Sequence, residues 1–307
     1  MTTIVFSHPS SAEHETGAGH PERPDRIRAV LKALESEQFA GLMRREAPAA
    51  QIDQVARVHP DGYVERLLAA VPDEGIARID ADTVMSPQSG EAALRAAGAL
   101  IAAVDAVVSG EAENAFCAIR PPGHHAEPVR GMGFCLFNNV AIAAAHARAE
   151  HGLEKIAVVD FDVHHGNGTQ AYFQDDPGLF FGSTHEYPLY PGTGAASETG
   201  VGNIFNVPLA PGTGSEEFRA GMDDLILPAL RAFDPDLILV SAGFDGHERD
   251  PLATLRLREN DYSWVTGRIR EIAEEHCNGR IISTLEGGYD LDALASSVTA
   301  HVHGLIA

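Results

Sequence analysis

Asp162 and His164 stand two residues apart in the run DFDVHHGNG, and chemistry is first legible in that spacing. In extended backbone, residues i and i+2 project to the same side, so a carboxylate and an imidazole at this interval can close on one ion. Asp160 shares that side, and a further carboxylate, Asp245, ends the run SAGFD elsewhere in the chain. Asp162, His164 and Asp245 together make two carboxylates and one imidazole. Such a set leaves positions for water and substrate, which is the open arrangement of a catalytic metal centre. Zinc is the leading ion, while ferrous iron or cobalt accept the same donors. Other ionisable groups sit in short motifs: His124 and His125 in RPPGHHA, Asn167 just after the D-x-H run, and Tyr289 in EGGYD. Taken singly, each motif is more often a turn or a packing feature than a site. Their weight comes from where they fall together.

Each motif follows a short apolar run. Runs at 4–6, 116–119, 156–159, 179–181, 237–240 and 281–285 are too short for helices and lack polar alternation. They predict strands buried on both faces of a parallel sheet. Segments 24–38, 90–109, 136–150, 215–233 and 259–277 carry apolar residues at a spacing near 3.6 and predict helices. The alternation predicts a doubly wound α/β fold, in which ligands bind beyond the carboxyl ends of the strands. The motifs lie there: the run 116–119 leads to His124 and His125, 156–159 to Asp160 through Asn167, 237–240 to Asp245, and 281–285 to Tyr289. The stretch 187–214 is longer than ordinary connections and is expected to cover a site.

The 307 residues, 44% hydrophobic and 21% charged, suit one globular α/β domain spanning 1–307. A formal net charge of -22 disfavours direct binding to nucleic acid or to an anionic membrane and attracts basic ligands. Cys117, Cys135 and Cys277 form no disulfide framework, which fits a reducing compartment. No secretory signal pattern or long apolar run is present, so the expectation is a cytoplasmic protein.

RPPGHHA (120–126), GFCLFNN (133–139), VDFDVHHGNGTQ (159–170), SAGFD (241–245) and EGGYD (286–290) resemble the histone deacetylases, especially their class II and bacterial members. With GHPERPDR (19–26) the resemblance spans nearly the whole chain. It implies the three-layer α/β/α arginase-deacetylase fold, with a mostly parallel sheet of about eight strands. It implies zinc held by Asp162, His164 and Asp245, and a catalytic histidine pair in which Asp160 partners His124 and Asn167 partners His125. His125 is then the general base and His124 an electrostatic partner. A neutral amide beside His125 does not raise its pKa as a carboxylate would. Tyr289 would hold the substrate carbonyl and the tetrahedral oxyanion. Phe134 and Tyr190 would clamp the aliphatic stem of an acylated lysine, and the Gly133 carbonyl would accept its amide N–H.

Arg26 resembles an arginine of an internal acetate-release channel, although its local sequence also suits an exposed helix charge after Pro24. The resemblance brings potassium too. One site would use the carbonyls of Asp160, Asp162, His164 and Thr184 with the Asp160 carboxylate and the Ser183 hydroxyl; a second, around Phe173, would use mainly carbonyls. The implied substrate is an acylated lysine peptide, with acetylpolyamines or other small N-acyl amides as the alternative. Leu252 stands where polyamine-directed relatives carry an acidic residue, which favours the lysine substrate. A dimanganese ureohydrolase is disfavoured by the shortage of bridging carboxylates, and a non-catalytic acyl-lysine reader by the intact histidine pair. The first turn with segments 80–87 and 186–202 is expected to form the rim, and a homo-oligomer is left open.

Overall fold

The structure, a computed structural model, describes residues 2–307. Its strands are β1 (Thr3–Ser7), β2 (Met43–Glu46), β3 (Ala77–Arg78), β4 (Val84–Met85), β5 (Asn114–Cys117), β6 (Ile156–Asp160), β7 (Leu179–Glu186), β8 (Ile204–Leu209), β9 (Leu237–Ala242) and β10 (Ile281–Leu285). Its helices are α1 (Pro24–Ala33), α2 (Ile52–Val55), α3 (Asp61–Ala69), α4 (Ser89–Val108), α5 (Asn139–His151), α6 (Asn167–Phe173), α7 (Ser215–Gly221), α8 (Leu227–Phe233), α9 (Glu259–His276) and α10 (Leu291–Ile306). Eight strands make one sheet in the order β2-β1-β5-β10-β9-β6-β7-β8, every pairing parallel. The pair β3 and β4 is a separate antiparallel ribbon.

Alternation along the strands divides the core. Ile4, Phe6, Ile156, Val158, Leu237 and Leu239 pack on the face covered by α4 and α5. Val5, Ala157, Val159, Ile238 and Val240 pack on the opposite face, with α1, α8, α9 and α10. Three layers result because each central strand must bury both of its sides. Among the described residues no helix is long and apolar enough to cross a membrane.

The apolar runs predicted six of the eight strands of the sheet, and the two they missed are its edges. β2 reads MRRE with three of its four residues exposed, a charged edge rather than a buried run. β8 lies inside the stretch expected to be loop and contains Pro208, which a sheet tolerates at an edge. The helix expected over 215–233 is interrupted by a wide turn at Met222–Ile226, just before Pro228, whose ring nitrogen has no proton to donate. α10 was not anticipated: Ser, Thr, Val and His give it modest intrinsic propensity, and packing against α9 and α1 makes up the difference.

Gly98 is where α4 meets the segment entering the core after β2. A Cβ there would lie 2.7 Å from the Ala50 nitrogen and against the Pro48 carbonyl oxygen. Gly98→Ala should therefore lower the free energy of unfolding by about 1–3 kcal/mol, read from urea melts, through overpacking. The sign is opposite to the gain of roughly 1 kcal/mol that alanine brings to an exposed helical glycine. A midpoint equal to or above wild type would show that the 48–50 segment yields.

Candidate active site

The four motif-bearing strands are the four contiguous strands β5, β10, β9 and β6 at the middle of the sheet. Their carboxyl ends therefore deliver side chains to one place. His164 Nδ1 lies 3.1 Å from Asp162 Oδ1 and 3.1 Å from Asp245 Oδ2. The remaining oxygens are tied down by backbone amides: Gly287 N donates to Asp162 Oδ2 at 2.8 Å and Val163 N to Asp245 Oδ1 at 2.9 Å. Burial opposes protonation of His164, but hydrogen bonds to the two carboxylates outweigh it and raise its pKa to about 10. Two buried carboxylates thus draw positive charge to this point, and a divalent cation satisfies them as a proton does. Donor types, burial and convergence all fit a metal centre.

Next to these three residues lie the two histidines. His124 Nδ1 is 2.9 Å from Asp160 Oδ2, and His125 Nδ1 is 2.8 Å from Asn167 Oδ1. Asn167 Nδ2 faces the Glu127 carboxylate at 2.9 Å, so its oxygen is turned to the imidazole. His125 must then donate from Nδ1, leaving the lone pair on Nε2. The environments push the two rings apart. For His124 the nearby Asp160 carboxylate outweighs burial and raises the pKa, whereas for His125 burial and the neighbouring His124 lower it.

A cavity of about 220 Å³ leads down to these groups. His125 and His164 reach it at the bottom, Phe134, Leu189, Tyr190 and Leu252 form apolar walls, and Asp82, Gly133 and Tyr289 complete the lining. Tyr190 stands perpendicular to His125 with ring centroids 5.2 Å apart, and Phe134 is edge-on to Tyr289 at 6.0 Å. Gly133 and Phe134 both take left-handed backbone, φ 56° and 68°. A Cβ on Gly133 would meet the His125 ring, 2.8 Å from its Cγ. The 133–134 turn therefore needs glycine to bring its backbone against the imidazole. A wider groove of about 640 Å³ between residues 16–21 and the β3–β4 ribbon shares Asp82 and Phe134 with the cavity.

A profile of the histone deacetylase domain matches residues 20–305. The chain belongs to the histone deacetylase family. It is 43% identical over 278 residues to a histone deacetylase-like amidohydrolase of Pseudomonas aeruginosa, covering 89% of this chain and 73% of that one. It is 41% identical over 299 residues to a probable deacetylase of Archaeoglobus fulgidus, covering 95% and 82%. The crystal structure of the HDA15 HD domain superposes with a TM-score of 0.94 at 34% identity, covering 99% of this chain and 88% of that one. The parallel sheet with flanking helices is thus that of a histone deacetylase domain, and the family is one of deacetylases and amidohydrolases.

Around these motifs the structure reveals supporting contacts that the sequence did not assign. Glu286 accepts from Gly123 N at 2.7 Å and from Ser241 Oγ at 3.2 Å, joining the ends of β10, β9 and the histidine loop. Asp250 accepts from Tyr289 N at 2.7 Å and Leu252 N at 3.0 Å, linking two parts of the cavity wall. Arg26 is fully buried rather than an exposed helix charge. It donates to Gly288 O at 2.6 Å and to Glu22 at 3.0 Å, with its guanidinium 4.9 Å from the Tyr289 ring centre. Glu22 is also gripped by Arg120, with a bond of 2.6 Å from Nη2. Their place within the quoted motifs was the sequence signal for Glu22, Arg120 and Glu286, since burial of a charge cannot be read locally. Ser183 sits opposite Asp160 in the β6–β7 register, with Thr184 beside it. The Phe173 carbonyl, in the region where the resemblance implies a second cation site, accepts from the Asn203 side chain at 2.9 Å.

Burial raises the pKa of Glu22, but Arg120 and Arg26 outweigh it and lower the value from 4.5 to about 2. Its contribution to stability is therefore fully present above pH 4.5 and is lost as pH falls toward 2. Glu22→Gln should cost about 3–5 kcal/mol at pH 7 by stranding buried guanidinium charge. In urea melts the gap between wild type and variant should narrow steadily below pH 4.5. A gap that stays constant to pH 3 would remove the charge pairing as its cause.

Proposed function

We propose that this chain is a zinc-dependent amidohydrolase that removes acetyl or related acyl groups from lysine side-chain amides. The observation that carries this reading is the convergence of Asp162, His164 and Asp245 at the foot of an aromatic-walled cavity, beside an imidazole whose Nε2 lone pair is free. Those three residues would hold the ion. When bound, zinc supplies Lewis acidity to the amide carbonyl and to the attacking water.

The protein groups divide the remaining work. His125 Nε2 takes a proton from water as the water oxygen bonds to the amide carbon, because Asn167 holds the Nδ1–H tautomer in place. The C–N bond then breaks, a proton held by the histidine pair passes to the leaving amine, and carboxylate and free amine depart. His124, paired with Asp160, lends positive charge beside the developing oxyanion. The Tyr289 hydroxyl donates a hydrogen bond to that oxyanion, with its backbone held by Asp250 and its ring by Arg26. Phe134 and Tyr190 pack on the methylenes of the lysine stem, which an acylated and hence neutral side chain can bury without a charge penalty. The Gly133 carbonyl accepts the substrate N–H. The same apolar walls leave little room for bulk water around the lysine stem, and Leu252 is among them.

A monovalent cation, potassium by the family resemblance, suits the carbonyls and carboxylate around Asp160. His185 Nε2 lies 2.8 Å from the Gly194 carbonyl and must donate to it, so its Nδ1 accepts from Ser183 Oγ at 2.9 Å. That leaves the Ser183 oxygen lone pairs available to such an ion.

A second reading, acetylpolyamine hydrolysis, is favoured by Asp82 in the cavity lining and by the net charge of -22. Acetyl-lysine peptides and N-acetylated putrescine, cadaverine and spermidine separate the two when assayed side by side. Peptide kcat/KM at least ten times higher, lost on chelation and restored by zinc, is the expected result; faster polyamine turnover reverses the assignment. Tyr289→Phe should lose roughly two to three decades of kcat, the ~2.7–4 kcal/mol of one oxyanion donor, while metal content stays unchanged. Wild-type turnover in that variant would remove Tyr289 from the mechanism.

A further inference from the structure

β8 begins immediately after Asn203, and the surroundings of that side chain are unusual. Its amide nitrogen faces three backbone carbonyls at once: Phe173 O at 2.9 Å, Asp176 O at 2.9 Å and Leu179 O at 2.7 Å. They come from the last residue of α6, the turn beyond it and the first residue of β7. An amide nitrogen carries only two protons, so three carbonyls at this range cannot each receive a linear bond. The orientation of the amide is set from its other side, where Val201 N donates to Asn203 Oδ1 at 3.2 Å. Reversing it would point an oxygen at three oxygens. The side chain is buried at 6% exposure, and its own backbone carbonyl accepts from Phe181 N at 3.0 Å.

Carbonyl oxygens that converge on one point make a cradle for a cation, since each turns the negative end of its dipole inward. The family resemblance places a second potassium ion around Phe173 in such a cradle. We infer that in this chain the Asn203 amide occupies that place, so the protein holds no second monovalent ion. An NH2 group is close to a potassium ion in size, and its two protons supply the partial positive charge the carbonyls require. Being covalently attached, it binds at no cost in ligand concentration and does not respond to the ionic composition of the solvent. The consequence reaches the site. α6 begins at Asn167, the partner of His125, and its far end is moored to β7 and β8 through Asn203 instead of through an ion. Monovalent-ion dependence should then arise only at the Asp160 site. This inference concerns the cradle alone and stands apart from the proposed amide hydrolysis.

Thallous ions replace potassium and scatter anomalously, so crystals of wild type and Asn203→Ala grown in a thallous salt read the cradle directly. Wild type should show no anomalous peak among the Phe173, Asp176 and Leu179 carbonyls, and Asn203→Ala should show one bonded to all three. A peak there in wild type, or none in the variant, overturns the inference. Asn203→Asp provides a solution test, because a carboxylate facing three carbonyls requires a cation between them. Replacing choline chloride with potassium chloride at constant ionic strength should raise the Tm of Asn203→Asp more than that of wild type. The Asp160 site contributes equally to both proteins, so equal responses count against the cradle.

Discussion

Negative charge is buried beyond the carboxyl ends of the central strands, and the loops and helices around it are arranged to neutralise it. Glu22, Asp160, Asp162, Asp245 and Glu286 are each at most 1% exposed. An uncompensated carboxylate in such surroundings costs several kcal/mol, so every one of them needs donors or positive charge close at hand. Three kinds of compensation are used. Arg26 and Arg120 enclose Glu22, imidazoles face Asp160, Asp162 and Asp245, and backbone amides from the glycine-bearing loops bind Asp162 and Glu286. The glycine loops after β5 and β10 matter here because their amides come directly into contact with carboxylates. The architecture of the site is in large part the geometry of this compensation.

Within that frame, similar side chains acquire different roles from their partners. His124 and His125 are adjacent in sequence, with ring centroids 4.0 Å apart. One faces a carboxylate and is held toward its charged form; the other faces an amide oxygen and keeps a free lone pair. The same division recurs among the acids. Asp162 and Asp245 turn one oxygen each toward His164, whereas Asp250 spends its oxygens on the backbone amides of Tyr289 and Leu252 and so acts on the cavity wall. Chemical type alone does not separate a ligand from a support; the atoms that each oxygen faces do.

Much of the candidate site was legible because its residues are clustered in short motifs after apolar runs. The D-x-H interval is a local consequence of extended backbone, and the position of each motif after a strand follows from the layer rule of parallel sheets. The supports were less legible. Glu22 and Arg120 are 98 residues apart and meet only in the folded chain. Arg26 has the local sequence of a surface helix charge, yet α1 packs against α10 and carries it beneath Tyr289. The Phe173 carbonyl carries no side-chain signal at all, and only the path of the chain into β8 brings Asn203 to it.

Donor types, the spacing of Asp162 and His164, the alternation that gives an α/β sheet and membership of the histone deacetylase family could all be read from the amino-acid order. These are written in neighbouring residues or in motifs that keep their order. The tertiary structure decided that β5, β10, β9 and β6 lie side by side, which charges are buried, which tautomer His125 takes, and what fills the carbonyl cradle beside α6. Each of those depends on strand order and desolvation, properties of residues brought together from distant parts of the chain, and no local pattern encodes them.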